Sequence, residues 1–315
     1  MNPTNVAGRR RLNFPNWLIA GIIFALLSAG SHAQSSNQTL NPGTNASPGI
    51  RRRVNEPANS KLPSLFVIGD STVRNGQGNS ADAQWGWGDL LAPYFDTNKI
   101  NVVNRALGGT SSRTFYRDQW PGVLVRLKPG DFLIMQFGHN DGGAINDTNR
   151  ARGTIKGVGD ETQEIDNLIT KKHEVVHSFG WYEKQIIAEA RARGATPMVC
   201  SLIPHNTWKN GVVVRNKKDY AGWAGEVARS ESAPFLDINE IIARQYDQLG
   251  QEKVKPLFVV GAGPHTSRAG AETNAACVVS ALKGLAENPL AQFLSEKAAA
   301  IPPADLSRPA SGPGD

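Results

Sequence analysis

Ser64-Leu65-Phe66-Val67-Ile68-Gly69-Asp70-Ser71-Thr72 is the stretch on which the reading of this chain turns. Its apolar run reads as a buried strand. A serine just past such a strand sits at the carboxyl edge of a sheet, where α/β proteins build their sites. Further apolar runs follow at Val102–Val103, Phe132–Phe137, Pro197–Leu202 and Pro234–Ile238. Helical patterns fall among them, at Tyr182–Arg193, Lys218–Glu231, Asn239–Leu249 and about Ala269–Leu285. Gly194 is a C-terminal stop for the first. This alternation predicts an α/β chain, a three-layer α/β/α sandwich around a five-stranded parallel sheet. The polar, weakly periodic segment from Gly142 to His177 is read as a loop or partial helix near the substrate mouth.

Two later segments match the first in chemical content, Gly138-His139-Asn140-Asp141 and His265-Thr266-Ser267. Alone, Gly69-Asp70-Ser71 and Asn140-Asp141-Gly142 are also what turns look like, because Gly, Asp and Asn favour turns for local reasons, and His265 alone is also what a structural residue at a helix N-terminus looks like. In order, they supply a nucleophile, oxyanion donors and a general base. A serine hydroxyl is a weak nucleophile until a base takes its proton, which assigns Ser71 and His265 to those duties. Ser71 can offer its backbone N–H to a developing oxyanion and Asn140 its side-chain amide. Gly108-Gly109, after the second strand, lets the backbone come close to a ligand.

The same residues resemble the conserved blocks of the SGNH (GDSL) hydrolases. Gln136-Phe137-Gly138-His139-Asn140-Asp141-Gly142, Ala106-Leu107-Gly108-Gly109-Thr110-Ser111-Ser112-Arg113 and His265-Thr266-Ser267-Arg268-Ala269-Gly270-Ala271-Glu272 are similar to the rhamnogalacturonan acetylesterases of carbohydrate esterase family twelve. The resemblance spans nearly all of 65–285. It implies a flavodoxin-like fold, Ser71 as nucleophile, Ser71, Gly109 and Asn140 as oxyanion donors, and His265 as base; no cofactor or metal is expected. One position departs. The family usually carries Asp three residues before the catalytic His; here that residue is Ala262, and no carboxylate lies between Lys253 and His265. Asp237 and Asp141 are the candidates to orient the imidazole in its place.

Outside the catalytic region the chain changes character. Arg9-Arg10-Arg11, the apolar Trp17–Ala29 and Ser31-His32-Ala33 form a signal peptide over 1–33, of general or twin-arginine type. The apolar part is short for a membrane span of ~20 residues, so no stable membrane association is expected after cleavage. Residues 34–62, rich in Ser, Asn, Pro and Gly, read as a disordered linker. Residues 63–285 form the hydrolase domain and 286–315 a flexible tail. Loss of the three leading arginines takes the formal charge from +6 to +3 (6 − 3). Basic arrays with interleaved aromatics are absent, which argues against nucleic acid. Cys200 and Cys277 read as buried small hydrophobes. His173 and His177, four apart on a possible helix, lack a third ligand for a metal. For sugar binding, Trp85, Trp87 and Trp208 could stack on pyranose faces, with one of Trp85 and Trp87 in the core. Arg113 and Lys209 could meet a galacturonate carboxylate.

The expectation is a secreted or periplasmic monomer that removes acetyl groups from plant polysaccharide, acetylated rhamnogalacturonan first. The alternatives are an esterase for other acetylated glycans such as xylan, or for small acyl or lipid esters, and a weakly active or non-catalytic glycan-binding protein in which Ala262 records the loss of the acid.

Overall fold

The computed structural model describes residues 55–74 and 83–307. The signal peptide assigned to 1–33 and most of the linker lie outside them. Five strands, β1 (Ser64–Gly69), β2 (Asn101–Asn104), β3 (Phe132–Gln136), β6 (Thr196–Cys200) and β9 (Phe235–Leu236), form one sheet in the order β2-β1-β3-β6-β9. Every pairing in it is parallel. Successive side chains on a strand point to opposite faces, and β1 shows the consequence. Leu65 and Val67 enter one apolar cluster, Phe66 and Ile68 the other.

The first cluster is closed by Ile242, Ala243 and Tyr246 of α5 (Ile238–Leu249) and by Ala275, Val278, Val279 and Leu282 of α7 (Arg268–Gly284). The second is closed by Phe115 of α1 (Ser112–Asp118) and Trp120 and Val123 of α2 (Trp120–Leu124). Ile186, Ile187 and Ala190 of α3 (Phe179–Ala192) and Ala224 and Val227 of α4 (Tyr220–Ser230) complete it. The fold is therefore the expected three-layer sandwich. Cys200 and Cys277 are free and buried.

Four expectations need correction. The segment 142–177 is neither plain loop nor helix: β4 (Thr162–Asp166) pairs antiparallel with β5 (His173–His177). Only Ile165 and Val176 of that hairpin are buried, so it lacks the apolar alternation that announces a strand. His173 and His177 thus lie on a strand, not a helix. The linker ends earlier than 62: Asn55 Nδ2 donates to Asn104 O, Asn101 Nδ2 to Asn59 O, and Glu56 pairs with Arg105 and Arg126. The tail begins later than 286. Leu290 and Ala298, the latter in α8 (Glu296–Ala299), join the first apolar cluster, and Lys283 Nζ donates to Ala298 O at 3.0 Å. A short hairpin of β7 (Trp208–Lys209) and β8 (Val212–Val213) and the short helix α6 (Gln251–Val254) complete the elements. Among the described residues, no helix is long and apolar enough to cross a membrane.

Candidate active site

Ser71 stands in a tight turn at the carboxyl end of β1. Asp70 O accepts the N–H groups of Val73 and Arg74. Asp70 Oδ1 accepts both Thr72 N–H and Thr72 Oγ1, each at 2.8 Å. A buried chain of hydrogen bonds braces this turn from the sheet: Trp87 Nε1 donates to Gln136 Oε1 at 2.9 Å, and Gln136 Nε2 to Thr72 Oγ1 at 2.6 Å. Gly69 admits no side chain, since a Cβ there would lie 2.5 Å from Gln136 O. Burial pushes the Asp70 carboxyl up to about 6.

His265 reaches Ser71 from the far end of the domain. The next residue fixes it: Thr266 O accepts Trp85 N–H at 2.9 Å and Thr266 Oγ1 donates to Trp85 O at 3.0 Å. Behind it, Val259 N–H donates to His265 O and His265 N–H to Ala262 O, closing a small loop. Ser267 then caps α7 through Gly270 N–H. The result places Ser71 Oγ 2.7 Å from His265 Nε2.

The other donors expected from the sequence lie on the segments that follow β2 and β3. A Cβ on Gly108 would lie 3.4 Å from Ser71 Cβ, so the backbone after β2 runs against the nucleophile turn. Gly109 has φ +85°, a left-handed conformation that favours glycine. Asn140 is buried, and its Nδ2 donates to Thr110 O at 2.7 Å. A primary amide has two N–H groups, which leaves the second for an oxyanion.

Neither carboxylate considered for orienting His265 does so. Asp141 is buried, accepts from Ser112 N–H and Oγ and from Gly138 N–H, and burial pushes it up to about 7. Asp237 caps α5 and accepts from Ser201 Oγ. Among the described residues, nothing hydrogen-bonds His265 Nδ1.

The proposed sugar contacts divide. Trp87 is core, as one of the tryptophan pair was expected to be. Trp85 is half-buried under the Arg268 guanidinium, 5.0 Å from its ring centre. Trp208 is half-buried with Nε1 on Asn206 Oδ1, and Lys209 is exposed. Arg113 is not available to a substrate. It is fully buried, paired with Glu174 at 2.7 Å and donating to the carbonyls of Ile145 and Gly153.

Three features escaped sequence reasoning. His139 has both ring nitrogens buried without a partner, packs against His205 at 5.2 Å, and is pushed down to about 3 by burial. Arg152 Nη1 donates to Gly109 O at 2.8 Å, and Arg150 lies beside it. A cleft of about 590 Å³ opens between the Asp141–Gly143 turn, Tyr220 and β4, and neither Ser71 nor His265 lines it.

A model of the GDSL-like Lipase/Acylhydrolase family matches residues 67–273, a span that holds Ser71, Gly109, Asn140 and His265. The chain belongs to this family, and the protein is a hydrolase of carboxylic esters. It is similar to the rhamnogalacturonan acetylesterase of Emericella nidulans, 29% identical over 205 residues, 63% of this chain and 78% of that protein. It is equally similar to the probable rhamnogalacturonan acetylesterase YesY of Bacillus subtilis, 29% identical over 226 residues, 70% of this chain and 93% of that one. The crystal structure of Bacillus subtilis YxiM superposes with a TM-score of 0.56 and 25% identity, covering 70% of this chain. The chain spans 56% of YxiM, little more than half of that longer protein.

Proposed function

We propose that the protein removes acetyl groups from acetylated rhamnogalacturonan through an acyl-enzyme on Ser71. The observation that carries the chemistry is the 2.7 Å approach of Ser71 Oγ to His265 Nε2. The substrate class is supported by the names of the two relatives. With Nε2 unprotonated, His265 takes the hydroxyl proton as Ser71 Oγ attacks the acetyl carbonyl. The tetrahedral oxyanion is held by the N–H groups of Ser71 and Gly109 and by Asn140 Nδ2. Collapse expels the sugar oxygen, which receives the proton from His265. Water, activated by the same imidazole, then releases acetate from Ser71.

The non-catalytic reading has less to support it. A binding protein has no need of a serine and an imidazole held at hydrogen-bonding distance. The N-terminal 1–33 supports export, and we take the working form to be a secreted or periplasmic monomer. The test is acetate release from acetylated rhamnogalacturonan and from acetylated xylan by the wild type and Ser71→Ala. Release from the first substrate, abolished in the variant, is the expected outcome; release from xylan alone would overturn the substrate.

A further inference from the structure

Beside the oxyanion donors, one tight loop delivers two guanidiniums to the same spot. Asp147 Oδ1 accepts the N–H groups of Asn149, Arg150 and Ala151 at 3.1, 2.7 and 2.7 Å. These bonds hold buried Ala151 at φ +41°, a conformation uncommon for any residue but glycine. On either side of this reversal, Arg150 and Arg152 both reach Gly109. Arg152 Nη1 donates to Gly109 O, and a Cβ built on Gly109 would lie 3.5 Å from Arg150 Nη1 and 3.9 Å from Arg152 Nη1. On Gly108, one residue away, a Cβ would lie 3.4 Å from Ser71 Cβ.

Two like charges converge there with no carboxylate in ion-pair contact among the described residues. Arg113, Arg105 and Arg215 each form an ion pair with a carboxylate. Arg150 and Arg152 form none among the described residues, and the Arg150 side chain, which is exposed, makes no hydrogen bond to them either. The nearest acids are engaged elsewhere: Asp70 with Thr72, Asp141 with Ser112 and Gly138, Asp147 with its own loop. Burial and then the charge of Arg150 lower the Arg152 pKa, against the smaller pull of the Asp70, Asp141 and Asp147 carboxylates. A neutral sugar gives no return for holding two cations together. A planar carboxylate does, because a guanidinium can bind it with two parallel hydrogen bonds.

We infer that Arg150 is a specificity-determining residue that binds the carboxylate of a uronic acid ring in the substrate. The assignment rests on the deacetylase reading above and narrows it to acidic glycans.

The experiment compares acetylated rhamnogalacturonan fragments with free carboxylates against the same fragments after methyl esterification. For the wild type, kcat/KM should favour the free acid about tenfold or more, the size of a lost charge-assisted hydrogen bond. The preference should lie in KM. It should collapse toward one in Arg150→Ala and survive in part in Arg150→Lys, which keeps the charge but not the fork. Unacetylated oligogalacturonate should inhibit aryl acetate hydrolysis by the wild type and inhibit Arg150→Ala far less. Equal rates on both substrates, or a preference unchanged in Arg150→Ala, would overturn the arginine site and leave the deacetylase reading standing. No acetate from either form, with aryl acetate still cleaved, would overturn both.

Discussion

His265 Nε2 stands 2.7 Å from Ser71 Oγ across 194 residues of chain, and among the described residues no carboxylate meets the opposite nitrogen of the same ring. In serine hydrolases the third group selects the tautomer that leaves Nε2 free and stabilises the imidazolium that forms. Here geometry is supplied instead by the pairing of Thr266 with Trp85 and by the loop bond from His265 N–H to Ala262 O.

Restoring an acid should raise turnover. Ala262 is half-buried and lies one tight turn before His265. Ala262→Asp is expected to increase kcat on an aryl acetate, with a ceiling of roughly 10⁴-fold, the cost of losing this group elsewhere. KM should change little, since an oriented base acts in the transition state. Steady-state kinetics decide it, and an unchanged kcat would mean that the imidazole gains nothing from an acid at this position.

Asn140 should matter mainly to kcat. Its amide is fixed by Thr110 O, so it needs no reorganisation when the oxyanion forms. Asn140→Ala should lower kcat about 10²- to 10³-fold with KM nearly constant. A variant with raised KM and normal kcat would remove Asn140 from the oxyanion hole.

The buried carboxyls should leave a pH signature on stability. Glu183 of α3 is fully buried, neither side-chain oxygen has a partner, and burial raises its pKa well above the usual range, with the Asp141 charge adding to it. The folded protein therefore keeps a proton that the unfolded chain releases above about 4.5, so this residue lowers stability progressively as pH rises. Asp70 and Asp141, at about 6 and about 7, act in the same sense. His139 acts oppositely between about 3 and 6.5, since it stays neutral in the fold. The difference between wild type and Glu183→Gln isolates one group. The melting temperature of the variant should gain on the wild type between pH 5 and pH 8; a gap that moves the other way would contradict the assignment.

The fold and the reactive pair were legible for different reasons. β1 and β3 are uniformly buried, and a run such as Leu65–Ile68 has few other readings. Ser71, Asn140 and His265 were legible because each stands next to a local signal, a strand end or a helix start. The β4–β5 hairpin was not, because both its faces are largely polar and its stability comes from pairing. Asn210-Gly211, with φ of 52° and 80°, is the turn that joins β7 to β8. That dipeptide is a strong hairpin signal, and its flanking strands of two residues are too short to show alternation. Arg113 looked like a surface cation because its partner Glu174 lies 61 residues away. Arg150 and Arg152 were invisible for the same reason: their meaning depends on Gly109, which only the fold brings to them.

The most direct test of the mechanism is covalent. Treatment with a serine-reactive phosphonate, followed by digestion and mass spectrometry, should place one adduct on Ser71, with labelling slowed sharply in His265→Ala. An adduct on another residue, or acetate release that continues while Ser71 stays unlabelled, would contradict the Ser71–His265 mechanism.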